Sequence, residues 1–170
     1  GEAYDKVAKM MGLGFPGGRV IDDLAKKGDP SAITFPRARL RTPYDFSFSG
    51  LKTSVWHYLT RKQPDRWRDQ VSDIAASFQE AAVDMLIAPT LRAVEALGIK
   101  RIVLGGGVSA NSRLREKMTE KALEVGAMPH YPSPRFCTDN GAMVALVGSY
   151  RLEQGERSGP SLNADSALIL

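Results

Sequence analysis

Residues 101–111 read RIVLGGGVSAN, and this stretch decides the fold class of the chain. A short apolar run comes first, three glycines follow, and a helical pattern extends from Ser109 to Val125. A second short strand is predicted at 127–131, and a further helix ends at about Glu153. This β-α-β-α order predicts an α/β domain with a parallel or mixed sheet, in which ligands lie at the carboxyl ends of the strands.

The first hundred residues are predicted to be mostly helical. The helices are expected at 2–11, 20–27, 51–61 and 66–97. Between the second and third helices, residues 31–49 lose the helical periodicity and are predicted to form short strands and loops. Pro89 predicts a kink or a break in the longest helix, because proline lacks a backbone N–H and clashes with the preceding turn.

These elements predict a domain organisation. Residues 1–30 and 98–157 are expected to form a C-terminal α/β nucleotide-binding domain, and residues 31–97 a helical insertion packed on it. Residues 158–170 are expected to be a loose tail. The chain does not begin with Met and its helical pattern starts at once, so we expect it to be part of a longer protein.

Composition limits the class of protein. The chain has 170 residues, 43% of them hydrophobic, which suits a globular domain with a buried core. It contains no run of roughly 18 apolar residues and no secretory signal, so we expect a cytoplasmic protein with no membrane partner. Basic residues outnumber acidic ones by 23 to 19, which favours an anionic partner but also suits an ordinary basic surface. The single cysteine, Cys137, excludes an internal disulfide and is expected to be a small buried residue.

The three glycines are the first candidate ligand site. Gly106 and Gly107 let bare backbone approach a ligand, and the helix that follows offers N–H groups and a positive dipole end. The spacing matches neither the dinucleotide fingerprint nor the P-loop. The alternative is a tight strand-to-helix connection in which Ser109 or Asn111 caps the helix.

Two more candidate positions precede the long helix. Asp5 and Gly18 flank the first helix and its turn, so a carboxylate and an open backbone position can face one pocket; alternatively, Asp5 only complements its helix dipole. Lys52, close to a helix start, is a candidate anion contact, whereas the alternative makes Phe46 and Phe48 core residues beside a capping Ser49.

Asp139 is the candidate metal ligand, because it lies where a loop enters a helix. A carboxylate there can cap the helix, bind a metal or orient a hydroxyl. The only histidines, His57 and His130, are not spaced as a metal pair, so further ligands would have to come from elsewhere.

Two clusters of basic residues are candidates for contact with nucleic-acid phosphates, and both also fit solvated helix faces. The first comprises Arg61, Lys62, Arg66 and Arg68, and the second comprises Arg113, Arg115, Lys117 and Lys121.

Five sequence blocks occur in a characteristic order. They lie at 1–6, 15–18, 45–53, 106–111 and 137–143. In that order they resemble the bacterial form of the tRNA N6-adenosine threonylcarbamoyltransferase family, formerly called O-sialoglycoprotein endopeptidases. The resemblance extends over about residues 1–150.

The resemblance implies the C-terminal part of an actin-like and sugar-kinase-like ATPase fold. It also implies an acyltransferase activity that moves a threonylcarbamoyl group from threonylcarbamoyl-adenylate to N6 of the adenosine next to the anticodon in tRNA. By matching position, Asp5, Gly18 and Asn111 would bind the adenylate or another adenine nucleotide. Asp139 would be a ligand of one divalent metal ion, iron or zinc. No residue of the chain is assigned a catalytic role.

The family's His-x-x-x-His metal ligands and its Ser-Gly-Gly ligand loop precede the matching region, so the chain is expected to be inactive without that N-terminal part. The implied partners are tRNA, the N-terminal part, a dimerising paralogue and a small ATPase. An actin-like ATPase or small-molecule kinase, and an inactive paralogue that acts as a scaffold, are the alternative functions. No nucleophile–base pair supports a peptidase.

Overall fold

The computed structural model describes residues 1–38, 40–62, 64 and 66–164. The chain divides into two units, of which the first is Gly1–Thr138 and the second begins at Asp139. The helices are α1 (Glu2–Met10), α2 (Gly17–Ala25), α3 (Ser49–His57), α4 (Val71–Leu97), α5 (Ser112–Glu124) and α6 (Gly141–Glu153). The strands are β1 (Arg101–Val103) and β2 (Met128–His130). A π-helical turn, Tyr58–Lys62, extends α3.

The two strands pair in parallel, with Ile102 opposite Pro129, and α5 connects them. This arrangement confirms the predicted α/β class and the β-α-β order. The glycine-rich segment emerges from the carboxyl end of β1, where a loop-borne ligand site is expected in such a unit.

Helix α4 joins the two halves of the core. Its first part packs with α1, α2 and α3 around Phe78, which is fully buried and meets the Tyr4 ring edge-on at 5.1 Å. Its second part contributes Val83, Ile87 and Val94 to a separate cluster with β1 and α5. Burial of one such apolar side chain stabilises the fold by about 1.5–3 kcal/mol. Helix α4 therefore contributes buried side chains to both clusters.

Of the kink or break predicted at Pro89, the break is wrong, because α4 continues through that residue to Leu97, and the kink stays a prediction. Buried side chains on both sides of the proline, including Ile87 and Val94, hold the helix against its neighbours. The hydroxyl of Thr90 also donates to the carbonyl of Leu86 (2.8 Å), one turn earlier. Tertiary packing outweighs the loss of a single backbone hydrogen bond.

Two other local predictions need correction. Helix α2 begins at Gly17 rather than Val20, because the carboxylate of Asp5 accepts a hydrogen bond from the first N–H of the helix and the preceding Pro16 is already extended. Residues 31–49 were expected to include short strands, but their described part contains none. Without a partner strand nearby, the aromatic–polar alternation of this segment does not form a ladder.

The second unit contains α6 and the described part of the tail. Asn140 caps α6 by accepting a hydrogen bond from the N–H of Met143 (3.0 Å). Residues 156–164 form no helix or strand. The loose tail at 158–170 stays a prediction, and its residues 165–170 lie outside the described residues. Within the described part of the chain, no helix has the length and apolar character needed to cross a membrane.

Candidate nucleotide-binding site

The junction between α1 and α2 contains Asp5 and Gly18. The Oδ1 atom of Asp5 accepts a hydrogen bond from the backbone N–H of Gly17 (2.8 Å), whereas its Oδ2 atom has no hydrogen bond to any described residue. A Cβ on Gly17 would lie only 2.6 Å from the carbonyl oxygen of Tyr4, so α1 and α2 pack this closely only with glycine there. A Cβ on Gly18 would meet nothing within 4 Å. Asp5 therefore has one free acceptor beside an open stretch of backbone.

Asp5 also lines a depression of about 690 Å³ on the surface of α1. Lys6, Lys9 and the 83% exposed ring of Phe15 line the same depression. Lys52 reaches its edge from α3 and donates to Oε1 of Glu2 (3.0 Å). Lys6 and Lys52 together lower the pKa of Glu2 to about 2. The predicted anion contact of Lys52 is therefore occupied in this structure by a carboxylate of α1.

The glycine-rich segment forms a tight turn that precedes α5. Gly106 has a φ of 81°, in the region that favours glycine, and the hydroxyl of the buried Ser109 donates to its carbonyl (2.7 Å). A Cβ on Gly106 would meet nothing, and one on Gly107 would approach only a methyl group of Thr138, at 3.7 Å. The outer side of the turn is therefore open backbone to which a ligand can come close.

Asn111 ends this turn and is the N-cap of α5. Its Oδ1 atom accepts a hydrogen bond from the N–H of Leu114 (2.9 Å). Its Nδ2 atom donates to Oδ1 of Asp22 (3.1 Å) and to Oε1 of Gln79 (2.7 Å). Three of the four hydrogen-bonding positions of the amide are thus used inside the protein, where Asn111 is only 7% exposed. The capping interpretation is confirmed, and one acceptor position remains for a ligand.

Asp22 is a site residue that the sequence analysis missed. It is 9% exposed, and its carboxylate accepts hydrogen bonds from Asn111, from the hydroxyl of Ser112 (2.8 Å) and from the N–H of Ser112 (3.3 Å). The signal was present in the sequence: Asp22 is on the helical face that buries Ile21 and Ala25, where an acidic side chain needs a partner. Helix α2 places Asp22 roughly 8 Å along its axis from the Asp5–Gly17 contact.

Tyr4 brings an unpartnered polar atom to the same region. Its hydroxyl is buried and has no hydrogen-bond partner among the described residues. Burial, together with the negative charge of Asp22, raises the pKa of Tyr4 well above its usual range. A neutral donor near Asp22 is therefore available to a water molecule or a ligand hydroxyl.

The guanidinium of Arg115 connects the glycine-rich turn to the segment that follows β2 through hydrogen bonds. Its Nε atom donates to the carbonyl of Ser109 (2.5 Å), and its Nη2 atom donates to the carbonyl of Pro132 (2.7 Å) and to the sulfur of Cys137 (3.3 Å). Cys137 is 4% exposed, which confirms that it is a small buried residue. The turn is thus held by the partly buried side chain of Arg115, whose guanidinium is hydrogen-bonded within the protein.

The other cations of α5 form ion pairs with carboxylates. Arg113 contacts Glu80 (2.7 Å), Lys117 contacts both Glu80 and Asp84, and Lys121 contacts Glu124 (2.8 Å). Arg113 and Lys117 lower the pKa of Glu80 to about 2. Of the two basic clusters in the sequence, the one on α5 is therefore engaged within the protein.

Asp139 is exposed at the start of the second unit, and the cap of α6 is Asn140 rather than Asp139. The capping alternative for Asp139 is therefore wrong. Across the described residues, no three His, Cys, Asp or Glu side chains come together in a way that suits a metal ion. The described residues alone therefore do not fit a complete metal site.

Sequence comparison places this arrangement in a family. The family model described as tRNA N6-adenosine threonylcarbamoyltransferase matches residues 1–146, which include both helices of the Asp5 junction and the whole Asn111 network. The chain belongs to this family. The expectation drawn from the five ordered blocks is confirmed.

Curated relatives give the same result. Proteins named tRNA N6-adenosine threonylcarbamoyltransferase from Symbiobacterium thermophilum and Thermotoga neapolitana are each 48% identical to the chain, over 100% and 99% of its length. One from Anaeromyxobacter dehalogenans is 50% identical over 98%. The chain spans about half the length of these relatives. The family is thus established for the chain, whereas the activity belongs to proteins twice as long.

Proposed function

We propose that the chain supplies the nucleotide-binding part of an enzyme that transfers a threonylcarbamoyl group from threonylcarbamoyl-adenylate to N6 of the adenosine next to the anticodon in tRNA. The observation that carries the proposal is the buried contact of Asn111 with Asp22, next to open backbone at Gly106 and Gly107. It lies within the region that the family model matches. A tRNA substrate implies a cytoplasmic enzyme.

Each candidate residue has a role in this proposal. The free Oδ2 atom of Asp5 accepts a hydrogen bond from a hydroxyl of the ribose. The backbone at Gly18 lets the nucleotide approach the positive end of α2.

The turn before α5 forms the second part of the proposed site. Its open backbone at Gly106 and Gly107 lets the nucleotide come close. Asn111 offers its remaining acceptor and, with Asp22, fixes the turn that carries the glycines. Lys52 contacts an anionic ligand when it leaves Glu2.

The transfer is an acyl substitution. The N6 nitrogen attacks the carbamoyl carbon, the bond from that carbon to the phosphate oxygen breaks, and AMP leaves with the electron pair while the nitrogen loses a proton. The described residues hold the leaving AMP, and no catalytic group is assigned among them. Holding both reactants in one geometry removes much of the entropic cost of this step.

The proposal includes partners for the chain. Asp139 supplies one ligand to a divalent metal ion, iron or zinc, and the remaining ligands come from the N-terminal part of the enzyme. The complete fold is that of the actin-like ATPases, in which 1–30 and 98–157 form the C-terminal domain and 31–97 its insertion. A dimerising paralogue and a small ATPase complete the assembly.

Transfer to tRNA tests the proposal. The chain is combined with the part of the Thermotoga neapolitana relative that it does not match, and unmodified tRNA and threonylcarbamoyl-adenylate are added. Mass spectrometry of the digested tRNA is expected to show N6-threonylcarbamoyladenosine, with AMP released in equal amount. Asp139→Ala is expected to reduce the product, whereas Glu153→Gln, an exposed control at the end of α6, is not.

The alternatives predict other outcomes. Release of phosphate from ATP without modified tRNA would replace the proposal with an actin-like ATPase or kinase. Full transfer with the Asp139→Ala variant would indicate that the chain acts as a scaffold.

A further inference from the structure

The helix corner after α3 presents a second feature with a distinct chemistry. Four cations and two tryptophans lie within thirteen residues of sequence. We call this surface the basic corner and define it by Trp56, Arg61, Lys62, Arg66, Trp67 and Arg68. All four cations are exposed, and Trp56 is 43% exposed.

A side-chain hydrogen bond connects the two ends of the segment that carries the basic corner. The hydroxyl of Tyr58 donates to Oε1 of Gln70 (2.8 Å), which joins the start of the π-helical turn to the residue before α4. Val55 and Leu59 are buried below it. The cations at the two ends of the segment are therefore held on one compact corner.

The cations of the corner have no carboxylate partner among the described residues. None of Arg61, Lys62, Arg66 and Arg68 forms an ion pair with a described residue, in contrast to Arg113, Lys117 and Lys121 of α5. Over residues 56–69, which include Asp65 and Asp69, basic residues outnumber acidic ones by four to two. Uncompensated, exposed cations favour an anionic partner.

Aromatic rings lie among these cations. The guanidinium of Arg61 lies 5.8 Å from the centre of the Trp56 ring, and that of Arg68 lies 4.7 Å from the centre of the Trp67 ring. Arginines and exposed aromatic rings side by side are the groups with which proteins bind single-stranded RNA, since cations contact phosphates and rings stack on unpaired bases. An acidic protein segment needs only the cations, whereas an RNA also supplies bases that can stack on the exposed Trp56 ring.

The position of the corner suits a substrate held at Asp5. Lys52, at the start of α3, contacts Glu2, which is three residues from Asp5. The ten residues from Lys52 to Lys62 place the corner roughly 15 Å farther along the helix. This distance separates the corner from the nucleotide site but keeps both within the reach of one RNA.

We propose that the basic corner is a docking surface for RNA, at which the four cations contact phosphates and Trp56 stacks on an unpaired base. This inference rests on the proposed function, because tRNA is the RNA that the site would receive. The basic corner raises the affinity for tRNA and takes no part in the transfer of the threonylcarbamoyl group.

Salt-dependent binding of tRNA tests the proposal. An unmodified, fluorescently labelled tRNA is titrated with the chain, and the dissociation constant is measured by anisotropy at several salt concentrations. Replacing all four cations with Gln is expected to reduce the slope of log affinity against log salt by about three, because each phosphate contact to a single strand contributes about 0.7. Trp56→Ala is expected to weaken binding about fivefold at every salt concentration.

The control removes the same charge elsewhere. Lys27, Lys100, Arg101 and Arg157 are exposed and form no ion pair with a described residue, and their joint replacement with Gln is expected to change the slope by less than one. Thermal unfolding of each variant verifies that the fold is retained.

The outcomes separate this inference from the proposed function. Equal slopes for the corner and control variants, or no binding of tRNA by the unaltered chain, would overturn the docking surface. Competition by polyglutamate as effective as that by RNA would assign the surface to an acidic protein instead. The corner variant is expected to keep its affinity for AMP, and a chain that binds tRNA but no AMP would contradict the proposed function alone.

Discussion

The Nδ2 atom of Asn111 donates a hydrogen bond to Oδ1 of Asp22 at 3.1 Å, across 89 residues of sequence. This contact joins the N-terminus of α5 to the middle of α2, and with it the glycine-rich turn to the helix that begins beside Asp5. Both side chains are buried, so the contact is protected from water and specifies one arrangement of the two helices.

Asn111→Asp is expected to make stability depend on pH. The new carboxylate still caps α5 but faces Asp22, so the pKa of the pair rises above the value of about 4 in the unfolded chain. A raised carboxyl pKa stabilises the fold at low pH, and this stability is lost as the pH rises through the folded pKa. Urea unfolding is expected to show a loss of about 2–3 kcal/mol at pH 7 and a smaller loss at pH 4. A loss that is the same at both pH values would contradict the contact.

Gly17 and Gly18 are expected to respond differently to alanine. Gly17→Ala places a Cβ 2.6 Å from the carbonyl oxygen of Tyr4 and is expected to destabilise the fold by about 1–3 kcal/mol, whereas Gly18→Ala meets nothing and leaves stability unchanged or slightly higher. Gly18→Ala is instead expected to weaken AMP binding. Thermal unfolding and calorimetry measure the two effects, and equal destabilisation by both variants would refute the close packing of α1 and α2.

Glu80 is expected to contribute to acid sensitivity. Arg113, followed by Lys117, lowers the pKa of Glu80 from 4.5 to about 2, so the ionised carboxylate stabilises the fold above pH 4.5 and this stabilisation is lost as the pH falls towards 2. Glu80→Gln is expected to cost about 1–2 kcal/mol at pH 7 and much less at pH 2. Urea unfolding at the two pH values measures the difference. Glu116→Gln, whose carboxylate is largely exposed, serves as the control and is expected to change stability by less than about 0.5 kcal/mol.

Tyr4→Phe is expected to leave the free energy of unfolding unchanged or to raise it by up to about 1 kcal/mol. The variant removes a buried hydroxyl that has no partner in the described chain and keeps the edge-on contact with Phe78. A loss above 1 kcal/mol in urea unfolding would show that the hydroxyl has a partner, such as a bound water. Tyr4→Leu, which also removes the ring contact, provides the comparison.

The sequence predicted most of the fold because the signals were local. The apolar run before the three glycines and the helix after them predicted the parallel β1–β2 pair and α5. The sequence left the cap open between Ser109 and Asn111, and the structure assigns it to Asn111. The sequence could not exclude a break at Pro89, because the single lost hydrogen bond competes with the packing of a 27-residue helix, which depends on distant side chains. The start of α2 was predicted at Val20 and not at Gly17, because the carboxylate that accepts from the first N–H of the helix, that of Asp5, belongs to another helix.

The candidate site was predicted only in part for the same reason. From the ordered blocks, Asp5, Gly18 and Asn111 are predicted site residues, and this stays a prediction. Asp22 joins the candidate site only through its contact with Asn111, 89 residues away in sequence. The two basic clusters looked equivalent in sequence. They differ in structure because α4 supplies Glu80 and Asp84 to α5, whereas no described carboxylate pairs with the cations of the basic corner.

Calorimetric titration of AMP into the chain tests the central claim, nucleotide binding beside Asp5, most directly. Asp5→Asn keeps the Oδ1 acceptor for the Gly17 N–H but replaces the free Oδ2 with an NH2 group, which cannot accept a hydrogen bond from a ribose hydroxyl. The account predicts saturable binding that this variant weakens about tenfold or more, while Asp23→Asn, an exposed control on α2, leaves it unchanged. Equal affinity of the Asp5→Asn variant and the unaltered chain, or no binding of AMP at all, would contradict it.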